Sequence, residues 1–343
     1  MMPSFPSNLT RTAWATLKKV ATPFVLFKYR KIRTVQVQEC ERRKRLSLFD
    51  YQSLAQPLPY AARHVTKGMN LYGYSYIFPL YAGIKKINSK LGIEHGLYFS
   101  VAGKRNESII TMSDYRESFL LDNHSKAVKI GPYIHYADPL LNRDEQDMLK
   151  KQLGKVLLVF PTHSHDSLTS VYDVNGFLHF IEQKKTQFDT VVICMYWKDI
   201  LLGKADPYKQ MGYSIVTAGH VYDIYFLSRL KTIIELADVV AANDIGSYVG
   251  YCLYMQKSFY LFSQTIEYQA GESLQAFHKE INQRSSEDWK GFEEIRKNFT
   301  ELCNDFGAPV SKELHEQAAY IFGFDYVKDK EALKKSLYGN RCI

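Results

Sequence analysis

The chain of 343 residues lacks several familiar signals, and each absence excludes a class of protein. Its five cysteines show no CxxC spacing, and an odd number is typical of reduced thiols rather than of a disulfide framework. No apolar run reaches the roughly 20 residues of a membrane-spanning helix, and the polar opening segment predicts no signal peptide. There is neither an internal repeat nor a low-complexity tract. With 46% hydrophobic residues, the chain is expected to be globular and is long enough for two domains.

Acidic residues are scarce in the first 45 positions. Residues 1–45 contain eleven Lys or Arg and two Glu, which leaves the rest of the chain close to neutral although the net charge is +8. Trp14, Phe24, Leu26 and Phe27 are interleaved with these cations. Alternating cationic and apolar side chains are typical of a segment that lies on an anionic membrane surface. A solvated basic tail is the plain alternative, and nucleic-acid binding is disfavoured because no RNP, helix-turn-helix or zinc-knuckle pattern follows.

The segment 213–262 has the clearest pattern in the chain. An apolar strand, an amphipathic helix, the strand DVVAAN, the turn DIGS, a second helix and the strand SFYLF follow one another. Helical apolar spacing that alternates with short β-branched runs predicts a parallel sheet covered by helices. The turn from Asn243 to Ser247 leaves the carboxyl end of a strand and opens a helix. Its free N–H groups and the helix dipole therefore favour an anion in the crevice of the sheet.

A second α/β region precedes this one. Short strands ending at polar or glycine turns run from residue 93 to 137, and a charged helix over 140–154 ends at Gly154 just before a new apolar strand. A domain boundary is therefore predicted at this glycine. The predicted organisation is a basic amphipathic arm over 1–45, α/β domains over 46–153 and 154–275, and helices over 276–343 that pack across both domains. In the last region only the brief AYIFGF segment resembles a strand.

Short motifs between residues 93 and 262 occur in the order found in a known enzyme family. They are Glu94-His95-Gly96, Ser113-Asp114-Tyr115, Gly131-Pro132, Pro161-Thr162, Ala237-Asp238 and Asp244-Ile245-Gly246-Ser247. In this order they resemble the bacterial transferases of teichoic-acid, capsule and lipopolysaccharide biosynthesis that are related to the CDP-glycerol glycerophosphotransferases. The resemblance implies an α/β GT-B fold, in which two Rossmann-type domains face a central cleft. The first domain would bind the acceptor and the second the nucleotide donor.

Two departures from the family pattern concern the donor. Tyr196-Trp197-Lys198 stands where the family has His-Pro, and a single serine, Ser247, closes the phosphate turn. These differences favour a nucleotide sugar over CDP-glycerol. The resemblance then implies a glycosyltransferase, hexosyl or related, that acts on a lipid-linked or surface polysaccharide acceptor such as lipopolysaccharide or capsule. Together with the basic arm, it implies a cytoplasmic protein, peripheral on the inner face of the inner membrane, that needs neither metal nor cofactor and binds no nucleic acid.

Two other functions stay open. A non-catalytic nucleotide- or glycan-binding protein would keep the sheet without the chemistry. A metal-dependent hydrolase is suggested by the segment 162–166, THSHD, which partly matches the THxHxDH signature of dinuclear zinc sites. Ser167 and Leu168 occupy the positions of the later ligands in that signature, and two ligands do not make such a site. A polar loop beside the donor pyrophosphate is therefore the favoured interpretation.

Glycosyl transfer needs a base for the acceptor hydroxyl and stabilisation of the departing phosphate. His95, on a glycine-flanked turn at a strand end, is the predicted base, since an unperturbed pKa of about 6.5 suits proton transfer. Glu94 is predicted to orient His95 or to replace it. A surface turn histidine without a catalytic role is the alternative.

The predicted donor site lies at the strand ends of the second domain. The N–H groups of Gly246 and Ser247 and the Ser247 hydroxyl are predicted to hold the departing phosphate, and Asn243 to fix the loop. The plain alternative for Asn243 is ordinary turn chemistry.

Other side chains are predicted to complete the donor site. They are His220 for a phosphate or sugar hydroxyl, Thr162 and His163 in the polar loop, and Tyr196 for stacking on the base. Arg229 and Lys231 are expected on a solvated helix face and are left out.

Overall fold

The computed structural model describes residues 30–59, 71–85, 87–88, 91–95, 108–120, 126–164, 168–270 and 286–338. Within these ranges the protein has a mixed α/β architecture with two parallel sheets and many helices. The predicted fold class is confirmed at this level. No described helix has the length and apolarity needed to cross a membrane.

The described chain begins with a helix over residues 30–44, α1, which is followed by α2 (Tyr51–Ala55). Helix α1 packs on the rest of the protein. The Gln36 side chain donates to the carbonyl of Tyr222 at 2.9 Å, and Arg43 donates to the carbonyl of Gln56 at 2.7 Å. Both side chains belong to buried residues. This part of the predicted arm therefore contributes to the folded body, while residues 1–29 lie outside the described residues.

The smaller sheet contains three parallel strands in chain order. They are β1 (Gly92–Ile93), β2 (Ser108–Thr111) and β3 (Lys126–Lys129). Helix α3 (Tyr74–Tyr81) precedes the sheet, α4 (Asp114–Glu117) follows β2, and α5 (Arg143–Leu153) leads out of it. A capping box formed by Asn142 and Glu145 starts α5, and Gly154 ends it with a positive φ of 64°. The sequence predicted this charged helix and its final glycine.

The larger sheet contains five parallel strands. They are β4 (Val156–Phe160), β6 (Thr190–Cys194), β7 (Ser214–Val216), β8 (Val239–Ala242) and β9 (Ser258–Leu261). Their order in the sheet is β7-β6-β4-β8-β9. The chain thus winds outward from β4 to β7 and then crosses back to β8 on the other side of β4. The loops after β4 and β8 diverge at this reversal, where open α/β sheets bind their ligands.

Five helices connect the strands of the larger sheet. They are α6 (Val174–Lys184), α7 (Trp197–Leu201), α8 (Asp206–Gln210), α9 (Phe226–Glu235) and α10 (Ser247–Tyr254). A separate antiparallel pair consists of β5 (Leu168–Val171) and β10 (Glu267–Ala270). Short 3-10 turns occur at Leu71–Gly73, Tyr133–Tyr136, Lys185–Gln187 and Phe324–Tyr326.

The C-terminal region consists of α11 (Ser286–Leu302), α12 (Lys312–Phe322) and α13 (Lys330–Tyr338). The possible strand AYIFGF is in fact the end of α12. Ser311 caps the start of that helix and Gly323 ends it in the left-handed conformation, so the apolar run is one face of an amphipathic helix. A Cβ on Gly323 would meet the carbonyl oxygen of Met112 at 2.0 Å, which shows how closely the end of α12 approaches the smaller sheet.

A continuous apolar core joins the two sheets. It includes Ile110 of β2, Leu158 of β4, Phe299 of α11 and Phe322 of α12. The other face of β4, with Leu157 and its neighbours, packs against α6 in a second cluster. Because β4 is buried on both faces, its polar contacts are confined to its ends. The carboxyl ends of the strands are therefore where functional side chains are expected.

Candidate functional site

A cleft opens at the carboxyl ends of the strands of the larger sheet, against Tyr72 and Tyr74. Its cavity volume is about 90 Å3. Aromatic residues dominate its walls, and many of them carry a hydroxyl group. The rings are Tyr72, Tyr74, Phe160, His163, Tyr196, Phe226, Tyr248 and Tyr251.

The loops after β4 and β8 are tied together at the point where the winding reverses. The N–H of Thr162 donates to Oδ1 of Asn243 at 2.6 Å, and the Thr162 hydroxyl donates to Oδ2 of Asp244 at 3.0 Å. The amide of Asn243 in turn donates to Gln264 at 3.0 Å. All three of Thr162, Asn243 and Asp244 are buried. The structure thus places two predicted donor residues, Thr162 and Asn243, in a fixed contact beneath the cleft.

The N-terminus of α10 opens toward this cleft. Gly246 is its N-cap, with extended dihedral angles and no side-chain cap, and Ser247 lines the cleft. The first N–H groups of the helix are therefore left for water or a ligand. A Cβ on Gly246 would lie 2.7 Å from the ring of Tyr248. Glycine is required here because the ring of Tyr248 leaves no room for a side chain, and not because of the backbone conformation.

The polar loop after β4 is anchored from below. The Ser164 hydroxyl donates to Oδ1 of Asp199 at 2.6 Å, and Lys204 donates to the same hydroxyl oxygen at 2.9 Å. This network holds His163 in the cleft wall, with its ring centroid 4.8 Å from that of Tyr196. The described residues contain no group of three His, Cys, Asp or Glu side chains suited to a metal ion. His165 and Asp166 lie outside the described residues.

His220 is buried at the end of β7, and Thr217 and Ala218 are the residues that face the cleft there. Its ring lies against Trp197, with centroids 4.2 Å apart, and its Nδ1 accepts the N–H of Tyr222 at 3.2 Å. Burial, assisted by the charge of Arg43, lowers the pKa of His220 to about 4. The neutral ring is therefore packed and fixed in this position.

Glu94 and Arg116 form a buried ion pair beside the cleft. Nη2 of Arg116 lies 2.9 Å from Oε2 of Glu94, and the hydroxyl of Thr111 also donates to the carboxylate. Glu94 is 4% exposed and Arg116 is fully buried. Because its carboxylate is held in this way, Glu94 is suited to fixing the turn that carries His95. This is the first of the two roles predicted for Glu94.

His95 lies at the tip of this arrangement and is half-buried. Its ring centroid is 5.0 Å from that of Tyr72, and its Nδ1 makes no hydrogen bond within the described residues. Burial, together with the charges of Arg116 and His163, lowers the pKa of His95 to about 4. His95 is therefore neutral in the free protein.

The cleft residue Tyr72 and its neighbour Gly73 were missed because the segment around them has only weak helical signals. Tyr72 has a positive φ of 52°, and its N–H donates to the carbonyl of Val221 at 2.7 Å. Gly73 follows with φ of 76°, and a Cβ there would lie 2.4 Å from the carbonyl oxygen of Ile224. A non-glycine residue in the left-handed region costs energy and is often found at functional sites. The Tyr72-Gly73 pair was the sequence feature that could have indicated a tight turn here.

The two basic residues expected on a solvated helix face are in fact buried or half-buried, so this expectation was wrong. Arg229 has no exposed surface, and its Nη1 donates to the carbonyl of Ala218 at 2.6 Å beside Asp223. Lys231 donates to the carbonyl of Ala137 at 2.7 Å. The partners of Arg229 belong to the loop that precedes its helix, whereas the partner of Lys231 lies 94 positions earlier in the chain. Helical periodicity reveals neither contact.

Arg296 of α11 is a further cation that sequence analysis did not single out. Its Nε and Nη2 are buried and make no hydrogen bond within the described part of the chain. Burial raises the pKa of Asp244, and the nearby positive charge of Arg296 opposes that rise. Arg296 therefore supplies positive charge close to the turn that precedes α10.

Comparison with known proteins gives few relatives. No family model and no curated protein matches the sequence. Among solved structures, the wall teichoic acid polymerase TagF is similar, with a TM-score of 0.38 and 12% sequence identity over 72% of this chain. This chain covers 65% of the length of that protein. This structural similarity is distant.

Proposed function

We propose that the protein is a metal-independent glycosyltransferase of GT-B architecture that transfers a sugar from a nucleotide-sugar donor. The observation that carries the proposal is the uncapped N-terminus of α10, which opens at the reversal of the larger sheet into an aromatic cleft. An N-terminus of this kind favours phosphate, and tyrosine rings favour stacking on bases and sugars.

We propose the following placement of the donor. Its diphosphate lies on the N–H groups at Gly246 and Ser247, with the Ser247 hydroxyl as a further donor and Arg296 as the nearby cation. Tyr196, half-buried at the end of β6, stacks on the base. The sugar then points toward His95, and His163 lines the cleft beside the donor.

The reaction requires one proton transfer and one bond exchange. The acceptor oxygen forms a bond to the anomeric carbon, the bond from that carbon to the phosphate oxygen breaks, and the nucleotide leaves with the electron pair. The neutral His95 receives the acceptor proton, and the α10 N-terminus stabilises the charge on the leaving phosphate. Glu94 and Arg116 fix the turn that carries His95, and the charge of Arg116 also lowers the pKa of this histidine.

A non-catalytic nucleotide- or glycan-binding protein is the second candidate, and one observation favours it. A histidine with a pKa of about 4 is a weak base. Bound diphosphate counters this, because a nearby anion stabilises the protonated ring and raises its pKa. Turnover of a nucleotide sugar distinguishes the enzyme from the non-catalytic binding protein.

Replacement of Gly246 by alanine is expected to weaken nucleotide binding at least tenfold, because the added Cβ pushes on the ring of Tyr248 and narrows the approach to the helix N-terminus. Thermal shifts with UDP, GDP, CMP and CDP measure this. A ligand at 100 times its Kd stabilises the folded state by about 2.7 kcal/mol. Gly291→Ala is the matched control, since a Cβ there meets nothing within 4 Å. Equal nucleotide protection of wild type and Gly246→Ala would place the donor site elsewhere.

The acceptor is proposed to be lipid-linked or part of a surface polysaccharide, with the protein peripheral at the inner membrane face. Removal of residues 1–29 is expected to weaken binding to anionic vesicles at least about a hundredfold, because four cations and the interleaved aromatic residues are lost. The cut spares α1, whose Gln36 and Arg43 hold it to the body. Co-sedimentation at low and high salt measures the change, with neutral vesicles as the control. A truncated protein that pellets as fully as the full-length chain would contradict the membrane assignment.

A further inference from the structure

A second cavity lies along the edge of the smaller sheet. It is a groove of about 590 Å3 between β3 and helix α13. Ser108 and Lys126, the paired first residues of β2 and β3, form one wall. Tyr326, Lys328 and Lys335 form the other wall. The groove is large enough for a ligand of several rings.

The groove is strongly cationic. Four of its lining residues are lysines and none is Asp or Glu, within the part of the chain that the structure describes. The lysines are Lys126, Lys129, Lys328 and Lys335. Lys129 is neutralised by Asp114 and by Glu117, whose Oε2 lies 2.9 Å from the ammonium nitrogen. The other three make no ion pair with a described residue, and like charges around a concave surface raise the local potential for an anion.

The groove and the donor cleft have different walls. The groove follows β3 along its whole length, from Lys126, which pairs with Ser108, to Lys129, which pairs with Thr111. Among the described residues, none lines both the groove and the cleft.

We propose that this lysine groove binds an anionic stretch of the acceptor glycan, one that carries phosphate or carboxylate groups, while the reacting hydroxyl lies in the cleft. The inference rests on the proposed function, because it takes the acceptor to be a glycan. Ammonium groups bind such anions as point charges and do not demand a planar bidentate partner. Three unpaired lysines around one groove thus suit a polymer whose charges recur along its length.

Two other anionic ligands fit the groove less well. Single-stranded nucleic acid needs aromatic faces for its bases. Tyr326 is the one ring among the described lining residues, its hydroxyl donates to Asp114, and Lys129 lies over it at 5.0 Å from the ring centroid. A membrane surface needs apolar side chains that insert, and none of the large exposed hydrophobic residues of the described chain lines the groove.

The test is the double variant Lys126→Glu/Lys335→Glu in the full-length protein. Fluorescence polarisation measures binding of a short inorganic polyphosphate, an oligogalacturonate and neutral dextran at low and high salt. Wild type is expected to bind at least one anionic polymer in a salt-sensitive manner and to ignore dextran. The double variant is expected to lose at least about tenfold in affinity. The control Lys151→Glu/Lys209→Glu reverses two exposed lysines on other helices and is expected to lose less than about threefold.

Several results would overturn the assignment. Equal losses in the two double variants would show non-specific attraction, and an unchanged affinity would place the polymer elsewhere. Loss of binding to anionic vesicles alone, with no binding of either polymer by wild type, would assign the groove to lipid headgroups. Nucleotide protection of the same protein samples separates the two proposals. A protein that binds nucleotide but neither polymer contradicts only this inference, whereas one that binds neither contradicts the proposed function as well.

Discussion

Replacement of Arg116 by methionine is expected to lower the free energy of unfolding by about 3–5 kcal/mol. Arg116 has no exposed surface and forms an ion pair at 2.9 Å with Glu94, which is itself 4% exposed. Loss of the cation leaves a carboxylate buried without a countercharge, and methionine fills most of the volume, so the effect is mainly electrostatic. Denaturant unfolding followed by tryptophan fluorescence measures the change.

Two further variants test the cause of that loss. Arg143→Met removes a pair with Asp147 in which the arginine side chain is 87% exposed, and it is expected to cost less than about 1 kcal/mol. The double variant Glu94→Gln/Arg116→Met is expected to be more stable than Arg116→Met alone, because no buried charge remains. An Arg116→Met protein as stable as wild type would mean that the pair does not hold the His95 turn in place.

Replacement of His95 by alanine is expected to lower kcat by roughly 10²–10⁴-fold with little change in donor affinity. The reason is that His95 removes the acceptor proton in the transition state but makes no contact with the nucleotide. His179→Ala is the matched control, since His179 is exposed on α6, away from the cleft. Steady-state rates and nucleotide thermal shifts on the same samples separate catalysis from binding. An unchanged kcat in His95→Ala would move the base to another group, and binding without any turnover in wild type would favour the non-catalytic candidate.

The pH dependence of the reaction follows from the pKa of His95. In the free protein this pKa is about 4, so the base form is present above about pH 5 and the acid limb of kcat/KM should lie well below 6.5. The bound diphosphate raises the pKa of His95, so the acid limb of kcat should lie at higher pH than that of kcat/KM.

The lowered pKa values of two histidines also make the stability of the fold depend on pH. His95 and His220 each have a pKa of about 4 when folded, against about 6.5 in the unfolded chain. The unfolded state binds more protons in that interval. Their contribution to stability is therefore complete above about pH 6.5 and is lost as the pH falls toward 4.

The larger sheet could be predicted from the sequence because its signals are local. Each strand of the segment 213–262 is a short apolar run, each helix has its own apolar stripe, and the turn 243–247 joins one to the other. The placement of Thr162 beside Asn243 follows once two parallel strands are neighbours. Their hydrogen bond at 2.6 Å was not foreseen, since it depends on which strands pair.

The environment of the histidines could not be predicted in this way. His95 was expected on an exposed turn with an ordinary pKa, but Tyr72 and Arg116, distant in sequence, enclose it and lower the pKa. Arg229 looked like a surface residue because helical spacing does not show that the preceding loop places a carbonyl and a carboxylate beside it. Burial by tertiary contacts is the common cause of these differences.

The basic arm illustrates the same point. Its charge pattern led to a boundary at residue 45, yet from residue 30 onward the chain is a helix held by Gln36 and Arg43. A composition shift marks a change in surface charge and does not mark where packing begins. Predictions about membrane attachment therefore concern residues 1–29 and the exposed face of α1.

The most direct test of the central claim is turnover of nucleotide sugars by the purified full-length protein. UDP-, GDP-, CMP- and CDP-linked sugars are incubated with a short surface-polysaccharide acceptor, and release of the free nucleotide is measured with and without EDTA. We predict that one donor class is consumed, that the rate is the same with EDTA, and that it is lost in His95→Ala. A folded protein that neither binds nor consumes any of these donors, or whose turnover is abolished by EDTA, would contradict the account.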